Sequence, residues 1–371
     1  MPISRINIKN FKSIKDSGNI EIRPINILIG PNGVGKSNFI NFFKLLNSIY
    51  NQRLRAFVAE NGYSDKLLYF GRKVSNYIEG NIIFNPEKKN VNNRYDFKLV
   101  PQKNGSGFYL EKDAGGFNFF ANGFNESWDF IEFGGEYKEE SELINNSSTR
   151  ADYLIDYFQE FKVFHFHDTG NNSPMKQPAK INDNRNLKEN GSNLPAFLYA
   201  INKTNPKHFK IIEKAIKSVA PFFERFVLEP NVLNENLIEL NWLENNSDEL
   251  FNAHNFSDGT LRFIALSTLL LQPNLPKTII IDEPELGLHP FAIQKLSALI
   301  KSASSKSQII ISTQSVGLVN QFQIEDLIIV NREYGQTIFK RLNYDAFKEW
   351  LEEYSLGELW EKNLLGGRPI K

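Results

Sequence analysis

Ile25-Asn26-Ile27-Leu28-Ile29-Gly30-Pro31-Asn32-Gly33-Val34-Gly35-Lys36-Ser37 decides the fold class of this chain. Its first five residues form a mostly β-branched apolar run, the pattern of a strand buried on both faces. Gly30 ends the run, and Gly30 to Ser37 satisfies G-x-x-x-x-G-K-[ST] between that strand and a helix start. Glycines let the backbone curl so that successive N–H groups and the helix N-terminus face phosphates. Lys36 is then placed to reach the β- and γ-phosphates of ATP, and Ser37 to bind Mg2+. From Ser37 to about Leu46 the spacing of Phe39, Ile40, Phe43, Leu45 and Leu46 predicts a helix with one core face.

A second apolar strand, Thr278 to Ile281, runs into two carboxylates, Asp282 and Glu283. Asp282 would hold Mg2+, directly or through water. Glu283, one residue on, points to the other side of the strand end, where it can polarise a water for in-line attack on the γ-phosphate. Phe256-Ser257-Asp258-Gly259-Thr260 precedes an apolar helix predicted over Asp258 to Leu271. A Ser with a Gly two residues on at a helix start reads either as an anion-binding nest or as an N-cap. A helix from about Phe291 to Ser302 and a strand Gln308 to Ile311 complete a βα alternation with a buried parallel sheet.

Elsewhere the signals are more local. Ile3 to Ile8 reads as a strand, and Ile20 to Ile29 as an edge strand broken near Pro24 and followed by the buried one. Short alternating bursts between Gly80 and Leu110 predict an antiparallel meander, followed by a Gly- and Phe-rich segment from Ala114 to Tyr137. Lys207 to Phe226 has helical spacing that Pro221 should kink or end, Leu237 to Trp242 reads as a short strand, and Asn182 to Asn193 as a loop. The 371 residues are enough for a full-sized core. The absence of cysteine excludes disulfides, Fe–S clusters, thiolate zinc sites and thiol nucleophiles, and five scattered His without Cys argue against a zinc site. Forty-three Lys plus Arg balance 43 Asp plus Glu, so no whole-molecule field draws the chain to nucleic acid or membrane, though a local basic groove is compatible with this. No apolar run approaches the roughly 18 to 20 residues of a membrane span, and Ile3, Ile6 and Ile8 alternate with polar residues where a signal peptide would be continuous. The expectation is a cytoplasmic protein with no membrane partner.

The Ser257 to Thr260 block resembles the signature motif of ATP-binding-cassette ATPases, in the divergent form of SMC-like, RecF-like and OLD-like proteins. The resemblance continues through Glu285-Leu286-Gly287-Leu288-His289-Pro290 at the D-loop and Ile311-Ser312-Thr313-Gln314-Ser315 at the switch. Ser4-Arg5-Ile6, Phe11-Lys12-Ser13 and Asn38 after the P-loop belong to the same pattern. Phe164 to Thr169 and the tail Leu364 to Pro369 resemble standalone RecF-like bacterial ATPases. The implied fold is α/β, a P-loop ABC-ATPase head with a mixed β-sheet, an antiparallel β insertion and a helical lobe. The implied division is a nucleotide-binding lobe from 1–80 and 250–340, a β insertion 80–165, a helical lobe 166–256 and a C-terminal segment 341–371.

The resemblance implies nucleotide binding by Gly30, Pro31, Asn32, Gly33, Val34, Gly35, Lys36, Ser37 and Asn38, with metal binding by Ser37 and Asp282. It places Lys36, Glu283 and Gln314 in catalysis, and Ser257, Asp258, Gly259 and Thr260 as a signature offered to a second protomer. Two copies would pair head to tail around ATP and reopen on hydrolysis, in DNA repair or anti-phage defence, with DNA, a separate nuclease chain, or both as the load. Many relatives carry His where Gln314 stands, and an amide cannot carry a proton charge, which points to slow turnover or a switch. The magnesium-contacting Gln of the family has no clear counterpart; His165, His167 and Asp168 compete, with Gln177 behind them. Lys12 and Arg5 either flank the adenine or are solvated, and Trp350 and Trp360 read as core anchors. The rival readings are a sensor or scaffold with little turnover and a transporter nucleotide-binding subunit. A built-in nuclease is disfavoured by the roughly 40 residues after the last βα unit.

Overall fold

The computed structural model describes residues 3–84, 91–119, 127–134 and 137–366, so Gly367, Arg368 and Pro369 of the tail motif and part of the Gly- and Phe-rich segment lie outside the described residues. The chain divides into two compact units, one of the residues up to Phe161 and from Gln323 on, the other Lys162–Phe322.

In the first unit the strand Ile3–Phe11 pairs antiparallel with Ile78–Phe84, which pairs with Val91–Pro101 and that with Phe108–Phe119, as the meander predicts. Alternation puts Ile82, Phe84, Tyr95, Phe97 and Leu99 into the core. The P-loop helix, Lys36–Tyr50, lies against them, with Phe42 stacked on Phe97 at 5.9 Å between centroids and touching Phe11 edge-on at 6.0 Å. It outruns the predicted end because Ile49 and Tyr50 are also buried, Tyr50 stacking on Phe158. The strand Ile25–Ile29 is buried along its whole length and runs parallel to Leu327–Glu333, which pairs antiparallel with Gln336–Arg341. The expected break at Pro24 is there, between Ile20–Glu21 and Ile25–Ile29.

In the second unit Thr278–Asp282 and Gln308–Thr313 run parallel in register, Ile279 against Ile309 and Ile281 against Ile311. The helix Asp258–Leu271 is buried from Leu261 to Leu270, and Pro290–Ala303 packs beside it. A further helix, Pro206–Val219, stops short of Pro221, whose ring cannot continue it.

Two expectations need correction. Leu237 to Trp242 is not one strand: Asn234–Ile238 and Asn241–Glu244 belong to separate three-stranded sheets. Asn241 N–H donates to Glu239 O at 3.1 Å, a tight bend across which Ile238, Leu240 and Trp242 keep burying alternate side chains, so the period of two survives the break. Trp350 is no core anchor: its helix Lys348–Glu353 buries nothing, whereas Trp360 shares a buried face with Leu356 and Leu359.

Arg341 closes the first unit near the entry to the P-loop strand. Its guanidinium donates to Glu21 O at 2.8 and 3.1 Å, to Glu325 O and Asp326 O at 3.2 Å, and to Asn26 Oδ1. Burial, and then Arg23, pull its pKa down to about 10. Arg341→Ala strips donors from three carbonyls and should cost about 3 kcal/mol. A denaturant midpoint equal to that of the natural chain would refute this.

Candidate functional site

The loop after Ile29 curls around the side chain of Lys36. Gly33 and Gly35 take φ of +79° and +114°, which side-chain-bearing residues adopt only under strain. A Cβ on Gly35 would run into the hydroxyls of Thr337 and Ser13. Lys36 is buried, its Nζ donating to Gly30 O at 2.6 Å and Pro31 O at 3.0 Å. Below the loop, Asn38 Nδ2 donates to Ser13 Oγ at 2.7 Å, Ser13 and Thr337 hydroxyls are 2.6 Å apart, and Thr337 Oγ1 donates to Val34 O at 2.7 Å. Thr337 spends its one proton on Val34, so Ser13 must donate to Thr337, and the chain of bonds runs one way from helix to loop. Positive φ values, a buried ammonium and backbone amides suit phosphate oxygens.

The second unit gathers Asp282, Glu283 and Gln314 at the carboxyl ends of its two parallel strands. Glu283 has φ +41°, a left-handed conformation that costs a residue with a side chain roughly 1–3 kcal/mol. Its N–H donates to Ser312 O at 2.9 Å and its Oε1 accepts from the Gln314 amide; Ser312 Oγ donates to Asp282 Oδ1. Glu285 accepts from Thr313 Oγ1 at 2.5 Å, and burial raises its pKa. No three His, Asp or Glu converge on one point among the described residues. The Asp282 carboxylate is a hard oxygen donor of the kind Mg2+ takes, one or two protein oxygens serving while phosphate and water complete its shell.

Ser257 caps the helix Asp258–Leu271, its Oγ accepting from Thr260 N at 3.2 Å and lying 2.8 Å from Thr260 Oγ1. Lys176, with its side chain almost wholly buried, stands 3.7 Å from the Asp258 carboxylate. A Cβ on Gly259 would lie 2.5 Å from Gly287 O, so the helix start rests on the Glu285–Leu288 turn.

These elements have relatives. Residues 25–320 match the family described as "AAA domain, putative AbiEii toxin, Type IV TA system". The chain belongs to this family. It is 24% identical over 383 residues to the Old nuclease of Escherichia phage P2, covering 94% of this chain and 62% of that protein. Among solved structures it resembles the SmcHead bound to the C-winged helix domain of ScpA, with TM-score 0.62, 16% identity, and 94% of this chain and 100% of that one covered. It also resembles the Pyrococcus furiosus Smc head domain bound to the C-terminal domain of ScpA, with TM-score 0.57, 14% identity and coverage of 95% and 98%. The fold is thus that of a P-loop ABC-type ATPase of the SMC, RecF and OLD branch.

In this AAA-family chain the four residues competing for the magnesium-contacting place part company. His167 Nε2–H donates to Asp282 O at 2.8 Å. His165 N–H donates instead to Glu189 O, Asp168 Oδ1 accepts from Gly170 N, and Gln177 closes the short turn Pro174–Lys176. Lys12 lines a cavity of about 470 Å3 beside Ser13 and Asn38, with Lys66, Phe70 and Arg332 among the other walls; burial, then Lys44, lowers its pKa. Arg5 is exposed and does not line it.

Sequence reasoning missed Thr337, Arg262 and Lys176. Arg262 was discoverable as the one charge inside the apolar run Leu261 to Leu271; Thr337 carries no local signal. Thr337→Val keeps the shape but leaves Val34 O without its donor. Nucleotide affinity should fall about tenfold by calorimetry, at a stability cost near 1 kcal/mol. Unchanged affinity would show that the hydroxyl chain does not order the loop.

Proposed function

We propose that the chain is an ATP-binding and ATP-hydrolysing switch that closes as a head-to-tail homodimer and acts in DNA repair or anti-phage defence. The observation that carries the reading is the strained Glu283 carboxylate held by Gln314 at a buried strand end, a costly arrangement that folding alone does not require. Glu283 orients the attacking water, Gln314 aims Glu283 and reaches toward the terminal phosphate, and Lys36 neutralises the β- and γ-phosphates. Ser37 and Asp282 would hold Mg2+, which when bound would neutralise charge developing on the phosphates. The cradle of Gly30 to Asn38 takes the nucleotide, and Ser257, Asp258, Gly259 and Thr260 engage the nucleotide held by the second copy. The division into nucleotide-binding lobe, β insertion and helical lobe is part of the same proposal.

The load is DNA, a nuclease carried on another chain, or both. This rests on the relationship to Old nuclease, of which this chain spans 62%, and on the likeness to Smc heads seen with ScpA. No helix among the described residues is long and apolar enough to cross a membrane.

Lys36→Ala should abolish nucleotide binding, because the ammonium is the loop's only full charge. Unaltered affinity by calorimetry would end the P-loop reading. Glu283→Gln should bind ATP yet hydrolyse it at least a hundredfold more slowly and accumulate the closed dimer. Light scattering with and without ATP reads the dimer, and hydrolysis at the natural rate would remove Glu283 from the mechanism. Ser257→Arg should leave binding by the single protomer intact while stopping closure and hydrolysis. Mixing it with Lys36→Ala should restore part of the rate, since one composite site then has both parts intact. If Ser257→Arg hydrolyses normally, the head-to-tail arrangement fails.

A further inference from the structure

The helix that starts at Ser257 buries every residue from Leu261 to Leu270, and one of them is an arginine. A buried guanidinium is costly unless its N–H groups are satisfied. Arg262 meets that demand by leaving its own helix: Nε donates to Phe166 O at 2.9 Å and Nη2 to His167 O at 3.0 Å. Its third nitrogen faces the Glu285–Leu288 turn, where a Cβ on Gly287 would lie 3.1 Å from Nη1. The same turn carries Glu285, 8% exposed, whose Oε2 has no hydrogen-bond partner and whose charge acts on Arg262. One side chain therefore joins three segments of the second unit.

Each segment leads to a part of the proposed site. The helix start presents Ser257 to Thr260 and rests on the turn through Gly259 and Gly287 O. The Phe166–His167 segment continues through the His167 ring, whose Nε2–H donates to the carbonyl of Asp282 at 2.8 Å. That carbonyl belongs to the peptide joining Asp282 to Glu283, so a shift of His167 turns the plane on which the Glu283 backbone is hung. Because Glu283 already sits at φ +41°, small rotations there move its carboxylate relative to the Gln314 amide.

We propose that Arg262 is a positioning residue for hydrolysis: through the Phe166 and His167 carbonyls it sets the His167 ring against the Asp282–Glu283 peptide, and so ties the carboxylate pair to the Ser257–Thr260 turn. The proposal rests on the reading of Glu283 as the group that orients water. Arg262 is buried with its guanidinium spent on the Phe166 and His167 carbonyls, so it should act on kcat and leave KM for ATP alone. Arg262→Lys retains the charge but cannot donate to both carbonyls in one plane. His167→Ala removes the ring and keeps the carbonyl that Arg262 uses, which separates the two halves of the path.

The experiment is a double-mutant cycle on the full chain, measuring ATP turnover, ATP affinity and melting temperature for Arg262→Lys, His167→Ala and the pair. Each single change should lower kcat about tenfold with KM within twofold, and the pair should be no slower than the slower single, because both cut one path. His167→Gln, which restores a donor within reach, should recover part of the rate. Losses in the pair that multiply, or an Arg262→Lys variant that melts earlier but turns over normally, would overturn the proposal. Should Arg262→Lys fail to fold, His167→Ala decides alone: a kcat loss at unchanged melting temperature supports the path, and an unchanged kcat refutes it. Glu283→Gln run alongside separates the two failures. If it hydrolyses normally the site reading itself is wrong; if it is inactive while both Arg262→Lys and His167→Ala are normal, only the Arg262 path is wrong.

Discussion

Strands buried on both faces have no side chain to spare for chemistry. Ile25–Ile29, Ile279 to Ile281 and Ile309 to Ile311 are sealed into their sheets, so polar groups can appear only where a strand stops. The parallel direction of Thr278–Asp282 and Gln308–Thr313 then brings Asp282 and Ser312 to the same edge in register, with Glu283 and Gln314 just beyond. The Gly30 turn follows from the same constraint at the end of its own strand. In open α/β sheets the carboxyl edge is where ligands bind, and here that edge also carries the strain.

The strain is local and is held by bonds that reach across the edge. Glu283 is kept at positive φ by its N–H on Ser312 O and its carboxylate on the Gln314 amide, and Thr313 Oγ1 and Gln314 N–H both bind Glu285 Oε1. At about 1 kcal/mol net for an ordinary hydrogen bond, these contacts are together enough to offset a left-handed residue. Gln314 thus touches two acidic side chains, one through its backbone and one through its amide. A neutral amide does this without adding a charge beside Glu283 and Glu285.

What was legible in the sequence were features encoded within a dozen residues. The P-loop, the helix Asp258–Leu271 and the strand ahead of Asp282 were readable because apolar runs and their polar ends are contiguous. Leu237 to Trp242 misled for the same reason, since a bend at Glu239 left the alternation intact. Trp350 misled because hydrophobicity says that a ring prefers burial, not that a surface exists to bury it; it meets Tyr354 and remains half exposed. Thr337 and Ser13, which frame the P-loop from positions 324 residues apart, had no expression in any local pattern.

Arg262 lies between these cases. A charge inside Leu261 to Leu271 is an anomaly that sequence displays, but its meaning depends on Phe166 and His167, 96 and 95 residues earlier. Hydrophobic packing would have been satisfied by leucine at 262. A guanidinium instead demands acceptors in one plane, and backbone carbonyls can meet that demand only if their segment is held in one place. The cost of burying the charge therefore fixes the path of residues 166–167, and with it the imidazole that holds the Asp282 carbonyl. A leucine there would make no directional demand on that segment, and the proposed link from Arg262 through His167 to the Asp282 carbonyl would lose its first member.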